Sequence, residues 1–220
     1  MLVDLCFPIQ EHWRYSKFHR EMLSSKEKGD FWEITGFTMG SHWFSHMDFP
    51  RHTGPEYPDS EAFPLEAYNG KASVIDLTRP DLKNHGFTVE DMGKATAGRK
   101  LQKILLLRSD WEKQSDWNTT DFWDNAPFMT PEALEWIVAK KPTCVAFDFP
   151  QDYTIREGRF RKVTPDDQPS HTILLRNNNI LLVEYVHNFD KIGADECEFI
   201  CLPLKLPHID GGPVRAVAKV

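Results

Sequence analysis

Four side chains with metal-ligand chemistry lie close together in this chain, at His42, His46, Asp48 and His52, all at even positions. In an extended backbone successive side chains alternate between faces, so residues two and four apart point the same way. One strand that leads into a loop can therefore direct three imidazoles and a carboxylate at one point. Imidazole nitrogen and carboxylate oxygen are ligands that zinc and manganese use in proteins. The run predicts half of a hydrolytic metal site and restricts this segment to a strand followed by a loop.

The neighbouring residues favour a strand over a helix here. A helix would also bring His42 and His46 together, because they are four residues apart. Pro50, however, disfavours a helix that continues through this segment. The residues beside the histidines are β-formers: Phe37, Thr38, Trp43 and Phe44. The alternative is a set of surface histidines on the edge of a strand, without a metal.

Size and charge narrow the classes of protein. A chain of 220 residues with 40% apolar and 27% charged residues is expected to fold as one domain, residues 1–220. Its net charge of −7, without a basic cluster, argues against a nucleic-acid partner. The apolar runs Ile104–Leu107 and Ile180–Val183 are of strand length, too short to cross a bilayer, so no membrane partner is expected.

The N-terminus and the cysteines predict a cytoplasmic protein. The sequence opens without the basic region and apolar stretch of a secretion signal. The four cysteines form no CxxC pair, and nothing else in the sequence indicates export. Free thiols in a reducing compartment are therefore expected.

Strand patterns outnumber helix patterns, and the two types are intermixed along the chain. Thr130 followed by Pro131 predicts the start of a helix that runs to about Lys140, and a shorter helix is expected after Thr88. A further helix is expected from Ser170 or His171. Residues 10–30, 50–70 and 151–170 are expected to be loops or irregular. The predicted strands are Leu2–Cys6, Phe31–Met39, Ala72–Leu77, Ile104–Arg108, Thr143–Asp148, Ile180–Tyr185, Glu198–Leu202 and Val214–Lys219, with a hairpin joining Phe31–Met39 to the histidine strand. This mixture predicts an α/β fold with a mixed β-sheet core.

Two distant residues could complete the site. Glu184 lies in the apolar run Ile180–Val186, on the face shared by Ile180 and Leu182. A carboxylate buried there is costly unless it is paired or binds a metal. His171 precedes this run. A histidine at a helix start means little alone, but paired with Glu184 it is a second candidate metal ligand. The alternative for Glu184 is a solvated edge residue or an ion pair with an arginine.

With these residues identified, the chain resembles the cyclase-like metal-dependent hydrolases, a family that includes bacterial kynurenine formamidase and isatin hydrolase. The family signature is His-x-Gly-Thr-His-x-Asp-x-Pro-x-His, and residues 42–52 match its histidines, aspartate and proline in register. His171 and the apolar run that ends in Glu184 match the later family pattern.

The resemblance extends in order over nearly the whole chain. Asp4-Leu5-Cys6-Phe7-Pro8-Ile9 resembles the opening of the family. Leu202-Pro203-Leu204-Lys205 and Gly212-Pro213-Val214-Arg215-Ala216 resemble its closing segments. Each match is short, but together they are specific.

The resemblance implies a swivelling β/β/α fold, a homodimer or larger homo-oligomer, and a divalent metal, zinc or manganese, with one or two ions per subunit. It implies that His42, His46 and Asp48 hold a first metal, while Asp48, His171 and Glu184 hold or bridge to a second. His52 would donate and accept the proton, and Trp13 would line the pocket for a small-molecule substrate.

Departures from the signature bear on the substrate. Phe44 replaces the family glycine and Ser45 the threonine. On strict alternation Phe44 projects between two ligands, where it contacts substrate and narrows the pocket, unless the backbone bulges. Where the family often has Asp-Thr-Pro-Ser, this chain has Asp148-Phe149-Pro150-Gln151.

The predicted activity is metal-dependent hydrolysis of an amide, formamide, lactam or lactone, with an arylformamidase-like reaction closest. Three alternatives come from other classes: a member of the fold that binds metal or ligand but is catalytically impaired, a ferrous dioxygenase with two histidines and a carboxylate, and a serine or cysteine hydrolase. The last lacks support, because the chain has no GxSxG motif and no cysteine with a neighbouring histidine.

Overall fold

The computed structural model describes all 220 residues. The α-helices are α1 (Val89–Thr96), α2 (Thr120–Asp124) and α3 (Pro131–Lys140), and Ser170–Arg176 form a π-helix. The strands are β1 (Leu2–Asp4), β2 (His19–Ser24), β3 (Ile34–Thr38), β4 (His46–Asp48), β5 (Gly70–Asp76), β6 (Gly86–Phe87), β7 (Ile104–Arg108), β8 (Phe128–Met129), β9 (Cys144–Phe147), β10 (Leu181–Glu184), β11 (Glu196–Pro203) and β12 (Gly211–Lys219).

The main sheet is mixed and closes on itself. Its strand order is β1-β12-β11-β5-β7-β9-β10-β4, and β4 also pairs with β12. The pairs β5–β7, β7–β9 and β9–β10 are parallel, whereas the others are antiparallel. The short strand β4 therefore completes a barrel-like ring. The predicted α/β class and the mixed β-sheet are confirmed.

Alternation along the strands produces two apolar cores. Ile104 and Leu106 of β7 join a cluster of residues from the strands around the ring, which fills its interior. Leu105 and Leu107 face outward and pack in a second cluster with residues of α1, α3 and the π-helix. Both sides of the strand are buried, as is typical of parallel strands covered by helices. The candidate site lies on the outer face, on the side of the second cluster.

The predicted helix starts are confirmed. Thr130 accepts a hydrogen bond from the backbone of Ala133, and Pro131 occupies the first turn of α3. Thr88 and Asp91 form a reciprocal capping box at the start of α1.

Two local predictions were wrong. Strand β3 pairs with β2, which lies inside the segment expected to be irregular, and not with the histidine strand. The histidine strand itself is short: only residues 46–48 are extended in the sheet, and residues 41–45 form turns and bends. The physical reason is that both edges of β4 are already paired, with β10 and β12, so no edge remains for β3.

The four cysteines are free, as predicted, and three of them are buried. None of the helices combines the length and hydropathy needed to span a bilayer.

Candidate metal centre

Strand register brings His46, Asp48 and Glu184 together. In the antiparallel β4–β10 pair, Glu184 lies opposite His46 and Leu182 lies opposite Asp48. The His46 Nε2 atom is 3.1 Å from Asp48 Oδ1 and 3.7 Å from Glu184 Oε2. All three side chains are at most 4% exposed. The sheet thus fixes an imidazole and two carboxylates on one face.

His42 reaches the cluster through a turn rather than along a strand. Phe44 has a φ of 59°, a left-handed conformation that is unfavourable for a bulky residue. The resulting change of direction places His42 Nδ1 2.6 Å from Asp48 Oδ1. Backbone geometry, not strict alternation, therefore brings this histidine to the site.

The same turn removes Phe44 from the cavity. Its side chain is fully buried in the outer core and packs against Tyr15 and Phe18. The prediction that Phe44 binds substrate and narrows the pocket is corrected by this placement. Phe44 therefore does not obstruct the cavity.

His171 enters from the π-helix that covers this face of the sheet. Its Nε2 atom lies 3.5 Å from Asp48 Oδ2 and 3.5 Å from Glu184 Oε1. His171 is buried, and its Nδ1 is 2.8 Å from Asp152 Oδ2. The distant pair predicted from the sequence, His171 and Glu184, therefore meets the local cluster.

Hydrogen bonds orient two of the imidazoles for ligation. His46 Nδ1 is 2.8 Å from the carbonyl oxygen of Phe44, which can only accept. His171 Nδ1 faces the Asp152 carboxylate in the same way. With Nδ1–H donating in each case, a neutral ring presents its Nε2 lone pair to Asp48 and Glu184. A carbonyl or carboxylate on the far nitrogen is the usual support of a metal-bound histidine.

The buried charges also fit a cation. Burial opposes ionisation of Asp48, but His46 and His42 outweigh it and hold the pKa of Asp48 well below its usual value. Burial and the charge of Asp48 raise the pKa of Glu184. Asp48 Oδ2 is buried and has no hydrogen-bond partner. A divalent cation would satisfy this oxygen and relieve the repulsion between the two carboxylates, so the donor set fits a metal.

His52 lies beside the cluster and is accessible to solvent. It occupies the short turn Pro50–Thr53, with 32% of its side chain exposed, and its ring stacks on His42 with centroids 3.7 Å apart. Asp210 Oδ2 is 2.8 Å from His42 Nε2 and 3.7 Å from His52 Nδ1. Burial lowers the pKa of His42, but Asp48 and Asp210 outweigh it and raise it to about 10. Hydrogen bonding to His42 and His52 holds the pKa of Asp210 well below its usual range.

A cavity of about 390 Å³ opens above these residues. His42, His52, His171 and Glu184 line it, together with Tyr15, Trp43 and Arg14. Trp13, the predicted pocket residue, is not part of the wall, which corrects that prediction. Its indole packs against Trp123, and the same turn presents the two following residues to the cavity instead.

Sequence reasoning missed three polar residues of the site: Asp152, Gln151 and Asp210. Gln151 donates to Glu184, and Asp152 supports His171. Both follow the carboxyl end of β9, which is parallel to β10, the strand that ends in Glu184. Polar residues after adjacent parallel strands meet at one edge of a sheet, and this signal could have identified them. Asp210 carries no comparable signal.

Comparison with known proteins identifies the family of the chain. The model of the Cyclase family matches residues 3–151, more than half of the chain. The chain belongs to the Cyclase family. The matched region includes the histidine motif but ends before His171 and Glu184.

Two relatives of this Cyclase family member are hydrolases by name. The chain is 26% identical over 211 residues to isatin hydrolase of Roseibium aggregatum, covering 87% of this chain and 76% of the relative. It is 26% identical over 212 residues to kynurenine formamidase of Bacillus anthracis, covering 92% and 87%.

Solved structures share the fold. A crystal structure of an isatin hydrolase bound to the product analogue thioisatinate has a TM-score of 0.80 at 22% identity, covering 100% of this chain and 92% of that one. A structure described as a potential metal-dependent hydrolase with cyclase activity has a TM-score of 0.72 at 19% identity, covering 99% and 96%. At these identities the likeness establishes the architecture.

Proposed function

We propose that this protein is a metal-dependent hydrolase of carbon–nitrogen amide bonds, closest in activity to an arylformamidase, with His52 as the proton shuttle. One observation carries the proposal. The Nε2 atoms of His46 and His171, each with its Nδ1 held by an acceptor, converge with Asp48 and Glu184 beside an open cavity.

The ligands divide between the two halves of the chain. His42, His46 and Asp48 would hold one ion, and His171 and Glu184 would join Asp48 around the same ion or a second one. When bound, zinc or manganese polarises a carbonyl and lowers the pKa of coordinated water from about 15.7 toward ~7. Histidine and carboxylate ligands accept either metal, and elemental analysis of the purified protein distinguishes them.

His52 suits proton transfer because it borders the ligands and remains open to the cavity. An imidazole can both accept and donate a proton, so it can take a proton from the attacking water and deliver it to the leaving nitrogen. Stacking on His42 and the nearby Asp210 carboxylate limit the orientations of the ring. Asp210 thus acts as a positioning residue.

The nature of the bond rests on the relatives. Kynurenine formamidase is named for a formamide, and isatin is a cyclic amide, so an amide carbonyl is the shared target. The cavity accommodates a small molecule, and aromatic side chains at Tyr15 and Trp43 can contact a ring. We also propose a homodimer or larger homo-oligomer in the cytoplasm.

Metal removal tests the reaction. The purified protein would be stripped with a chelator and assayed on aryl formamides, cyclic imides, lactams and lactones, then reconstituted with zinc or manganese. Hydrolysis should disappear and return with metal. Equal activity in the stripped protein contradicts the proposal. Stoichiometric metal without turnover would favour a binding protein, and oxygen uptake with ferrous iron would favour a dioxygenase.

Two substitutions separate the roles. His52→Ala should retain metal while turnover falls by about 10²–10⁴-fold, whereas Asp48→Ala should lose metal, because Asp48 touches three of the imidazoles. His19→Ala is the matched control, since that histidine is 65% exposed on β2 and does not line the cavity. Full metal and full rate in both test variants would refute the assignment.

A further inference from the structure

The strand that supplies Glu184 loses its alternation directly after that residue. Leu182 belongs to the outer core and Val183 to the inner core that fills the ring, as successive side chains of a strand should. Glu184 faces the metal cluster on the outer side, so the next side chain is expected to point inward. Tyr185 instead packs in the outer core, and Val186 returns to the inner one. Two consecutive side chains, Glu184 and Tyr185, therefore lie on the same face of the sheet.

A left-handed backbone produces this arrangement. Tyr185 has a φ of 55°, a conformation that is unfavourable for a bulky residue. The Ser45 hydroxyl donates to the carbonyl oxygen of Tyr185 at 2.5 Å, which holds the backbone in place. The N–H of Val186 donates to the carbonyl oxygen of Phe147 at 3.3 Å. Strained residues of this kind persist where the surrounding structure enforces them, and they are concentrated at active sites, so the strain indicates a role for the Tyr185 side chain.

The Tyr185 ring is fixed beside the metal cluster, at the wall of the cavity. Tyr185 is 6% exposed and lines the cavity together with Glu184. Its ring centroid is 5.5 Å from that of His46, and it packs edge-on against Trp123 with centroids 4.8 Å apart. The hydroxyl forms no hydrogen bond within the chain and is not sealed in the core. It is therefore a positioned donor whose acceptor must come from the cavity.

Two other donors near the cluster are already engaged. Arg159 lines the cavity but forms an ion pair with Asp124, and the Gln151 amide donates to Glu184. The carboxylates of the cluster repel negative charge that develops nearby. A neutral hydroxyl next to Glu184 can instead stabilise such charge by donating a hydrogen bond, and Tyr185 provides that group.

We propose that Tyr185 is a catalytic residue whose hydroxyl donates a hydrogen bond to the carbonyl oxygen of the amide that is cleaved. This inference rests on the proposed function and deepens it. As water adds to the carbonyl carbon, the π electron pair of the C=O bond moves onto the oxygen, and Tyr185 stabilises that charge while keeping its own proton. When the C–N bond breaks, the electron pair returns to the C=O bond, and the leaving nitrogen takes its proton from His52.

Tyr185→Phe tests the hydrogen bond without relying on turnover. Infrared difference spectroscopy would record the carbonyl stretch of acetophenone, a ketone that cannot be hydrolysed, bound to the purified protein. A hydrogen bond to the carbonyl oxygen lowers this frequency, so the band should lie lower in the native protein than in Tyr185→Phe at equal metal content. The same frequency in the two proteins, or no binding of acetophenone to the native protein, overturns the proposal.

Kinetics on formanilide at saturating metal gives the second readout. Tyr185→Phe should lower kcat by at least about tenfold, toward the roughly 10²–10³-fold that loss of one oxyanion donor costs. KM should change less than kcat, because the hydrogen bond is strongest when the oxygen is charged. Tyr68→Phe is the matched control, since Tyr68 is 5% exposed in the inner core and does not line the cavity. Unchanged kcat in Tyr185→Phe, or an equal loss in Tyr68→Phe, refutes the catalytic role.

Stability distinguishes a catalytic hydroxyl from a structural one. Because the Tyr185 hydroxyl has no partner in the chain, Tyr185→Phe should keep the native Tm of the metal-free protein and the native metal affinity. A lower Tm together with lost metal would show a structural role and overturn the inference.

The two readouts also separate failure of this inference from failure of the proposed function. If the native protein hydrolyses no formamide but the carbonyl frequency still rises in Tyr185→Phe, the hydrogen bond to the carbonyl stands and the proposed reaction fails. If native and Tyr185→Phe proteins hydrolyse formanilide at the same rate, the reaction stands and the role of Tyr185 fails.

Discussion

Replacing Asp152 by asparagine should weaken metal binding without removing any ligand. Asp152 is 1% exposed, and its Oδ2 accepts from His171 Nδ1 at 2.8 Å. The other oxygen, Oδ1, accepts from the backbone N–H of Ser170 at 2.8 Å. The Ser170 hydroxyl donates to Oδ2. An asparagine amide in this position can donate to Nδ1. The His171 proton would then move to Nε2, the atom that faces Asp48 and Glu184, and the ring would lose its lone pair for the metal.

The contacts of Asp152 set the expected loss of metal affinity and the expected loss of stability. Loss of the support on a ligating histidine lowers metal affinity by about 10–100-fold. Asparagine keeps one acceptor oxygen for Ser170, so one charge-assisted bond is lost, at about 1.5–3 kcal/mol in the free energy of unfolding. For a chain of this size that corresponds to a Tm lower by about 3–12 °C.

Metal affinity would be measured by competition with a chelating dye, and stability by thermal unfolding of the metal-free protein. Asp166→Asn is the control, since its side chain is 77% exposed and pairs with Arg176 rather than with a histidine of the site. A folded Asp152→Asn protein with native metal affinity would refute the argument that Asp152 sets the proton position on His171.

Three further substitutions test the close packing on His42, the stability of α1 and the role of Asp210. Gly211→Ala should lower metal affinity, and it should lower the free energy of unfolding by about 1–3 kcal/mol, because the new Cβ would lie 2.4 Å from His42 Cε1. Gly212→Ala is the control, since the nearest atom to its Cβ would be 3.8 Å away. Equal losses in the two variants would contradict this reason. Gly93→Ala should raise the free energy of unfolding by about 0.5–1 kcal/mol, because Gly93 is inside α1 with open space around it; denaturant titration checks the sign. At saturating metal, Asp210→Asn should lower kcat by about 10–100-fold, because Asp210 supports the imidazoles of His42 and His52. Unchanged kcat at saturating metal would exclude a positioning role.

The sequence predicted most of the elements and all five candidate ligands. Period-two apolar runs such as Ile104–Arg108 and the Thr130-Pro131 helix start depend on interactions between neighbours along the chain, so they can be read locally. The coming together of His42, His46 and Asp48 was also anticipated, although the reason given for His42 was incomplete. It reaches Asp48 by a turn through a left-handed Phe44 and not along a strand.

The two substrate-contact predictions failed because they depend on side-chain direction. Phe44 and Trp13 are aromatic residues near the motif and near the N-terminus, and nothing local distinguishes a cavity wall from a core. The positive φ of Phe44 directs its side chain into the outer core, and the Trp13 indole packs against Trp123. Arg14 and Tyr15 take the place in the cavity wall.

By itself the sequence determined which side chains can bind a metal, because the ligand chemistry belongs to residue types and their spacing. Only the tertiary structure decided how the metal site is completed and which residues support its histidines. Closure of the sheet through β4 aligns His46 with Glu184, and distant loops deliver Asp152 to His171 and Asp210 to His42. These contacts join residues that are 19 to 168 positions apart, so the fold of the whole chain, and not interactions between neighbours in sequence, sets their distances.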